Sequence, residues 1–177
     1  TGNSALNDRT LRRAMKNLKP IGIPHSIILE NLFARTFDAT KLDEDTERVR
    51  QAYRDRGYFK AVTTEPTTHV RDAGGLNPFT LRPSKGKRVD ILMPVEEGER
   101  YRLGGITFSG NKAVTNTRVL RAQFTQKDGE WFNATKFSKG LDQLRKSYGE
   151  LGYINMVGTP EPKIDEKNKT ITLNIDI

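Results

Sequence analysis

The stretch Tyr53-Arg54-Asp55-Arg56-Gly57-Tyr58-Phe59 recurs as Tyr148-Gly149-Glu150-Leu151-Gly152-Tyr153-Ile154, with both tyrosines and the glycine between them in register. A second block keeps the same offset of 95: Phe37-Asp38-Ala39-Thr40-Lys41-Leu42 lies over Phe132-Asn133-Ala134-Thr135-Lys136-Phe137. Further out, Thr1-Gly2-Asn3 matches Ser109-Gly110-Asn111 at an offset of 108, and Leu11-Arg12 matches Leu120-Arg121 at 109. Matched blocks in one order mark an internal duplication. The offset changes because the first copy holds about 14 extra residues between its helix signals. They fall within Pro20 to Phe37, which reads as an added helix after Pro24.

The second copy shows its elements more plainly. From Arg100 to Phe108, Ile106 and Phe108 alternate with Thr107 and Ser109, the period of a strand, and Gly110-Asn111 ends it as a turn. Val114, Val119, Leu120 and Phe124 give a short helical face opened by Thr115 or Asn116. Asn133 then caps a longer helix, stapled by Phe132 against Phe137. Its stripe is Phe137, Leu141, Leu144, Tyr148 and Leu151, and Gly152 supplies the left-handed end. A strand over Ile154 to Thr159 is expected next. Pro160, Pro162 and Asp165 to Lys169 are read as the turn, before a closing strand in which Ile171, Leu173, Ile175 and Ile177 alternate with polar residues. The order strand, helix, helix, strand, strand makes a three-stranded sheet with helices on one face.

The first copy repeats the plan with Asp38 as cap, a Phe37–Leu42 staple, Val49 and Tyr53 on the stripe, and Gly57 at the end. Thr46 and Arg56 weaken the stripe, and Asp43-Glu44-Asp45 fall in the first turns, where acids suit the helix dipole. Its hairpin is expected over Phe59 to Val70 and Arg88 to Val95, joined by a mobile Gly/Pro loop from Arg71 to Lys87. Thr1-Gly2-Asn3 is the turn that would end a first strand, so the first copy is expected to lack that strand. A sheet edge beside Arg88 to Val95 is then left for the chain's own N-terminus or a neighbouring chain to cover.

Composition narrows the function. Hydrophobic residues make up 34% of the 177, enough for two thin cores rather than one large one. Cysteine is absent, which excludes disulfides, zinc fingers and thiol nucleophiles. No apolar run reaches the 18 residues of a membrane span. His25 and His69 are the only histidines, and neither has metal-ligand spacing to an acidic residue. Gly74-Gly75 and Gly104-Gly105 lack the Gly-Lys-Ser/Thr of a phosphate loop. No catalytic, cofactor-binding or metal-binding residues are assigned, and the chain is read as a non-enzyme. The net charge of +8 is shared evenly: 17 basic and 13 acidic residues precede Glu99, and 13 and 9 occupy the rest.

Ile106-Thr107-Phe108-Ser109-Gly110-Asn111, Tyr148 with Gly152-Tyr153, and Val95-Glu96-Glu97-Gly98 together resemble POTRA domains, the modules strung along the arm of BamA-type outer-membrane assembly factors. The likeness spans nearly the whole chain as two modules, 1–98 and 99–177. It implies an α+β fold of two tandem βααββ two-layer sandwiches, each a three-stranded mixed sheet under two helices. It implies a periplasmic scaffold, carried by a membrane β-barrel, that binds unfolded outer-membrane protein clients and accessory lipoproteins, with no cofactor. Strand addition to a sheet edge takes its affinity from main-chain bonds and so tolerates many client sequences. By the resemblance, the binding edges are Phe59, Lys60, Ala61, Val62 and Thr63 in copy one and Ile154, Asn155, Met156 and Val157 in copy two. Val95, Glu96, Glu97 and Gly98 form the inter-module linker.

Two other readings stay open at this point. The same module occurs in two-partner secretion and import transporters. A pI near 9.8 also admits a nucleic-acid-binding module. Against the latter, aromatic and basic residues do not interleave on a strand platform, so no nucleic acid is expected as partner.

Overall fold

The computed structural model describes residues 1–18, 39–76 and 83–177. The expected helix after Pro24, His25, the Asp38 cap and the Phe37 staple lie outside them. The described elements are helices α1 (Asp8–Ala14) and α2 (Ala39–Arg54), strands β1 (Val62–Thr63), β2 (Thr67–Leu76), β3 (Pro83–Leu92), β4 (Val95–Glu96) and β5 (Arg102–Ser109), helices α3 (Thr117–Ala122) and α4 (Ala134–Glu150), and strands β6 (Thr159–Asp165) and β7 (Thr170–Asp176). They fall into two compact units. The first holds Thr1–Arg50 with Val62–Glu96, and the second Gln51–Ala61 with Glu97–Ile177.

The second unit has the sheet order β5-β7-β6, with β7 parallel to β5 and antiparallel to β6. Period-2 alternation sends Ile171, Leu173 and Ile175 of the central strand into the core, all buried. Phe137, Gly140, Leu141, Leu144 and Tyr148 of α4 meet them from one side. The Asn133 side chain caps α4 by accepting from the Lys136 N–H at 2.7 Å, and Asn116 does the same for α3 through the Arg118 N–H. Leu120 and Phe124 are buried, as the helical spacing requires. Val119 and Leu151 depart from their stripes and are exposed: Val119 sits beside the inward Leu120, and Leu151 caps α4 past its last helical residue. Gly140 exists for lack of a side chain: a Cβ there would collide with the Phe124 ring, which stacks on Phe137 at 5.4 Å.

The strand expected at Ile154 to Thr159 is displaced along the chain. Ile154 and Asn155 form a turn, Met156 to Gly158 run irregularly, and the strand begins at Thr159. The Met156 N–H donates to the Tyr153 carbonyl, which fixes that turn. Pro160 and Pro162 therefore sit inside β6, opposite Ile175 and Leu173, rather than in a turn. A strand edge admits proline where its missing N–H faces outward, so composition here misplaced the turn. The true turn follows β6, where the Asp165 carboxylate accepts from the Lys167 and Asn168 amides.

In the first unit, the hairpin is longer than expected. β2 pairs with β3 from Thr67↔Leu92 to Leu76↔Pro83, and β1 pairs with β4 at Val62↔Glu96 and Thr63↔Val95. Most of the Arg71–Lys87 segment read as a loop is thus ladder, and residues 77–82 lie outside the described ones. Gly74 and Gly75 join because an antiparallel ladder is built from main-chain groups, whatever the side chain. Phe59, Lys60 and Ala61 precede the strand. Thr1 lies along this edge: its nitrogen donates to the Met93 carbonyl and its carbonyl accepts from the Val95 N–H. The same closure recurs in copy two, where the Ser109 carbonyl accepts from the Ile177 N–H. At the next residue, Gly2 and Gly110 both have positive φ, and a Cβ would strike the Val95 or the Ile177 carbonyl.

Asp45 is not a helix-dipole residue. It lies in the second turn of α2, fully buried, and its carboxylate accepts from the backbone amides of Lys16, Asn17 and Leu18 and from Arg48. It thereby stitches the segment after α1 to α2. The nearby buried Thr46 hydroxyl is satisfied by the Leu42 carbonyl. Burial alone would raise the Asp45 pKa, but the Lys16, Leu18, Arg48 and Asn17 bonds outweigh it and hold the group below the usual carboxylate value.

Two outcomes follow. Asp45→Asn removes the charge and an acceptor from buried donors and costs about 2–4 kcal/mol in chemical unfolding. Because the folded pKa is depressed, the contribution is present above the unfolded value of about 3.9 and lost as pH falls through the folded pKa. The wild type should lose its advantage over Asp45→Asn in melts below about pH 4. Gly140→Ala gains about 1 kcal/mol of helix propensity but overpacks Phe124 by about 1–3 kcal/mol, so its melting temperature should fall despite the better helix former.

Candidate functional site

A strand-adding surface needs an edge with free main-chain donors and acceptors. In the second unit neither edge is open along its length. β5 is covered at its start: the Leu103 N–H donates to the Glu130 carbonyl, the Gly129 N–H to the Leu103 carbonyl, and the Phe132 N–H to the Tyr101 carbonyl. β6 pairs with β7 while carrying Pro160 and Pro162, so its outward side lacks two amide donors in succession. In the first unit the outer side of β2 has no paired strand among the described residues, and no proline interrupts Thr67–Leu76. One face of that hairpin brings Val70 opposite Val89, with Thr68 opposite Ile91 beside them, and Val70 is 62% exposed.

The residues expected at the edges divide accordingly. Val62 and Thr63 are on β1, with Val62 exposed and Thr63 accepting from Arg50 at 2.8 Å. Phe59, Lys60 and Ala61 belong to the second unit and have packing work there. Phe59 meets the Phe132 ring edge-on at 5.5 Å, Ala61 is buried, and Lys60 pairs with Glu166 over the Tyr101 ring. Ile154 and Val157 are exposed and Met156 partly buried, with Asn155 between them, all outside any strand. Of the linker residues, Val95 and Glu96 form β4, Glu97 accepts from the Tyr53 hydroxyl at 2.8 Å, and Gly98 is exposed.

Gln51–Ala61 carries interactions that no single repeat of the sequence announced. α2 ends in a Schellman turn, with the Tyr58 N–H returning to the Tyr53 carbonyl and Gly57 at positive φ; α4 ends identically through Tyr153, Tyr148 and Gly152. The Gly57 carbonyl then accepts from the Tyr101 N–H at 2.8 Å. The Asp55 carboxylate accepts from the Thr135 N–H and hydroxyl and from Gln51, and the Asp55 carbonyl accepts from the Asn133 side chain. It is a second cap on the first turn of α4. Trp131 lies between Arg100 and Arg102, each guanidinium 4.0 Å from the ring centroid, and Arg100 also reaches the Tyr58 ring and the Arg56 carbonyl. Beside them, Lys60 and the Tyr101 hydroxyl lower the Glu166 pKa, and Glu166 in turn raises those of Lys60 and Tyr101. Aromatic-rich copy boundaries were the available sequence signal for this cluster.

Among the described residues, no group of acidic or histidine side chains could hold a metal ion, and no helix is long and apolar enough to cross a membrane. Phe124, Phe132 and Phe137 pack on one another in the core rather than forming an open stacking platform.

Two repeated blocks of helices followed by strands, their long helices closed by the same Tyr–Gly–Tyr turn, define a class of tandem α+β module. The family described as surface antigen variable number repeat, POTRA, matches residues 1–98 and 101–177, and the chain belongs to that family. It is 27% identical over 154 residues to the outer membrane protein assembly factor BamA of Buchnera aphidicola, covering 83% of this chain and 22% of that protein. A putative outer membrane protein assembly factor of Treponema pallidum is 26% identical over 99% of this chain and 19% of its own length. The chain spans about a fifth of the length of these curated relatives. The crystal structure of Haemophilus influenzae BamA POTRA3-5 shares the fold, with a TM-score of 0.69 at 20% identity over 99% of this chain and 62% of that one.

Asp55→Ala should lower stability by about 1–2 kcal/mol through loss of the Thr135 cap, with Asn133 retaining part of it. Thermal melts followed by circular dichroism at neutral pH measure this.

Proposed function

We propose that this stretch is a polypeptide-binding part of the periplasmic arm of an outer-membrane protein assembly factor, a scaffold rather than a catalyst. Its clients are unfolded outer-membrane proteins, captured by strand addition, and accessory assembly lipoproteins dock on the same arm. The full-length protein is anchored by a membrane β-barrel. The assembly-factor names of the relatives support this over a two-partner secretion or import role. The packing of the core phenylalanines speaks against a nucleic-acid-binding surface.

The observation that carries the reading is the outer side of β2, which has no paired strand among the described residues and no proline over Thr67–Leu76; Val62 and Thr63 of β1 precede it in the chain, across Pro66. A client strand laid there gains main-chain bonds, and the exposed Val70 with Val89 and Ile91 offers an apolar face to alternate side chains. Natural edges are commonly blunted by proline or charge, as β6 is, and an edge left plain is the one available for pairing. This reading assigns client capture to the first unit, at Val62–Thr63 and Thr67–Asp72, where the edge carries no proline within β2.

Titrating the labelled chain with a peptide from an outer-membrane β-barrel strand should shift the amides of Thr67–Asp72 and leave those of Thr159–Asp165 in place. Shifts confined to Thr159–Asp165, or none on either strand, would overturn the assignment.

A further inference from the structure

Trp131, the chain's single tryptophan, is held between two arginines beside the start of β5. Each guanidinium carbon lies 4.0 Å from the ring centroid, and one face has room for a single guanidinium at that distance, so Arg100 and Arg102 take opposite faces. The loop that carries the ring is fixed to the strand. The Gly129 N–H donates to the Leu103 carbonyl, the Leu103 N–H donates to the Glu130 carbonyl, and Arg102 and Trp131 form a main-chain bridge. Both arginines are pinned as well: the Arg100 Nε donates to the Arg56 carbonyl at 2.6 Å, and the Arg102 Nη1 to the Gly129 carbonyl at 2.7 Å. Trp131 is nonetheless 38% exposed, and Arg102 is exposed beside it.

What the cluster lacks is an acceptor. Among the described residues neither guanidinium has a carboxylate partner, and the indole N–H donates to no group. The acids nearest along the chain are engaged elsewhere: Glu99 with Lys169 at 3.9 Å, Asp128 with Arg121 at 2.8 Å, and Glu130 with the Lys127 N–H at 3.4 Å. Stacking uses the flat face of a guanidinium and leaves its in-plane N–H groups free to donate. A cluster made only of donors, on side chains already held in place, suits oxyanions. Both ring faces are taken by cations, so sinking the ring into hydrocarbon would carry two charges with it, which disfavours a lipid surface. Gly129 and Glu130 close the main chain of β5 at this point, so recognition here reads side chains rather than adding a strand.

We propose that Arg100, Trp131 and Arg102 form a docking site for an extended acidic–x–acidic segment of a partner protein, each guanidinium taking one carboxylate on its side of the ring. The spacing selects the motif. With 4.0 Å on either side of the ring, the guanidinium carbons lie at most about 8 Å apart. In an extended segment residues i and i+2 share a face about 7 Å apart, whereas adjacent residues point to opposite faces and would offer one carboxylate at a time. Trp and Arg are also the residue types that dominate binding hot spots. The site goes beyond client capture at β2: it lies on the second unit, reads charge and spacing, and stands or falls independently of that edge.

The probe is an acetylated, amidated Gly-Thr-Glu-Thr-Glu-Thr-Gly peptide titrated into the intact chain, with tryptophan fluorescence as a readout that belongs to Trp131 alone. A saturable change is expected. Replacing both glutamates of the peptide by glutamine should abolish it. Placing them next to each other should weaken binding by about three- to tenfold, as expected for one partly exposed charge-assisted bond. Arg102→Lys, which keeps the charge and loses the fork, should weaken binding by a similar factor. Arg118→Gln, which removes an exposed charge on α3, should leave it unchanged. No fluorescence change, an equal response to the glutamine peptide, or equal weakening by Arg118→Gln and Arg102→Lys would each overturn the proposal. Binding to phosphatidylglycerol vesicles but not to the peptide would overturn it too.

Discussion

The buried contact between β7 and α4 is the constraint on which the second unit rests. Ile171, Leu173 and Ile175 are spaced by two and Phe137, Leu141, Leu144 and Tyr148 by three or four, so a strand and a helix each present one apolar face. Burying each such side chain contributes on the order of 2 kcal/mol, more than the roughly 0–1 kcal/mol of a typical surface ion pair. Once those faces meet, β7 must be central, because β5 and β6 can only pair with its two free sides. The parallel partner β5 is reached through the α3–α4 crossover, and the antiparallel partner β6 through a tight turn.

Around that core, backbone geometry is reused at each copy boundary. The Tyr–Gly–Tyr turn stops the helix by satisfying its last carbonyls, and the left-handed glycine lets the chain reverse without strain. In copy one the same turn also offers a carbonyl and a carboxylate to Tyr101 and Thr135. One local motif thus ends a helix and presents polar groups to whatever packs against it. The two tasks are compatible because a Schellman turn leaves the glycine carbonyl pointing outward.

The edges show how one fold sets different surfaces on its two copies. Prolines at 160 and 162 cost the sheet nothing, since their missing donors lie on the unpaired side, yet they deny that side to another chain. The first hairpin bears no such interruption on β2. Its Gly74 and Gly75 sit in a ladder whose bonds belong to the main chain, so the pairing does not require a side chain there.

Periodicity and repetition by themselves determined the duplication, the element order of the second copy, the Asn133 cap, the inward face of β7 and the glycine-ended helices, because these follow from local spacing of three to four or of two residues. Only the tertiary structure decided where the strands after each Tyr–Gly–Tyr begin. A proline reads as a turn residue from composition, but whether its nitrogen faces a partner depends on the register with β7. Tertiary structure also moved Phe59, Lys60 and Ala61 from an edge to packing positions, and it turned Asp45 from a helix-dipole acid into the buried acceptor for Lys16, Asn17 and Leu18. Those roles join residues tens of positions apart, and no spacing rule along the chain encodes which distant amide a carboxylate will meet.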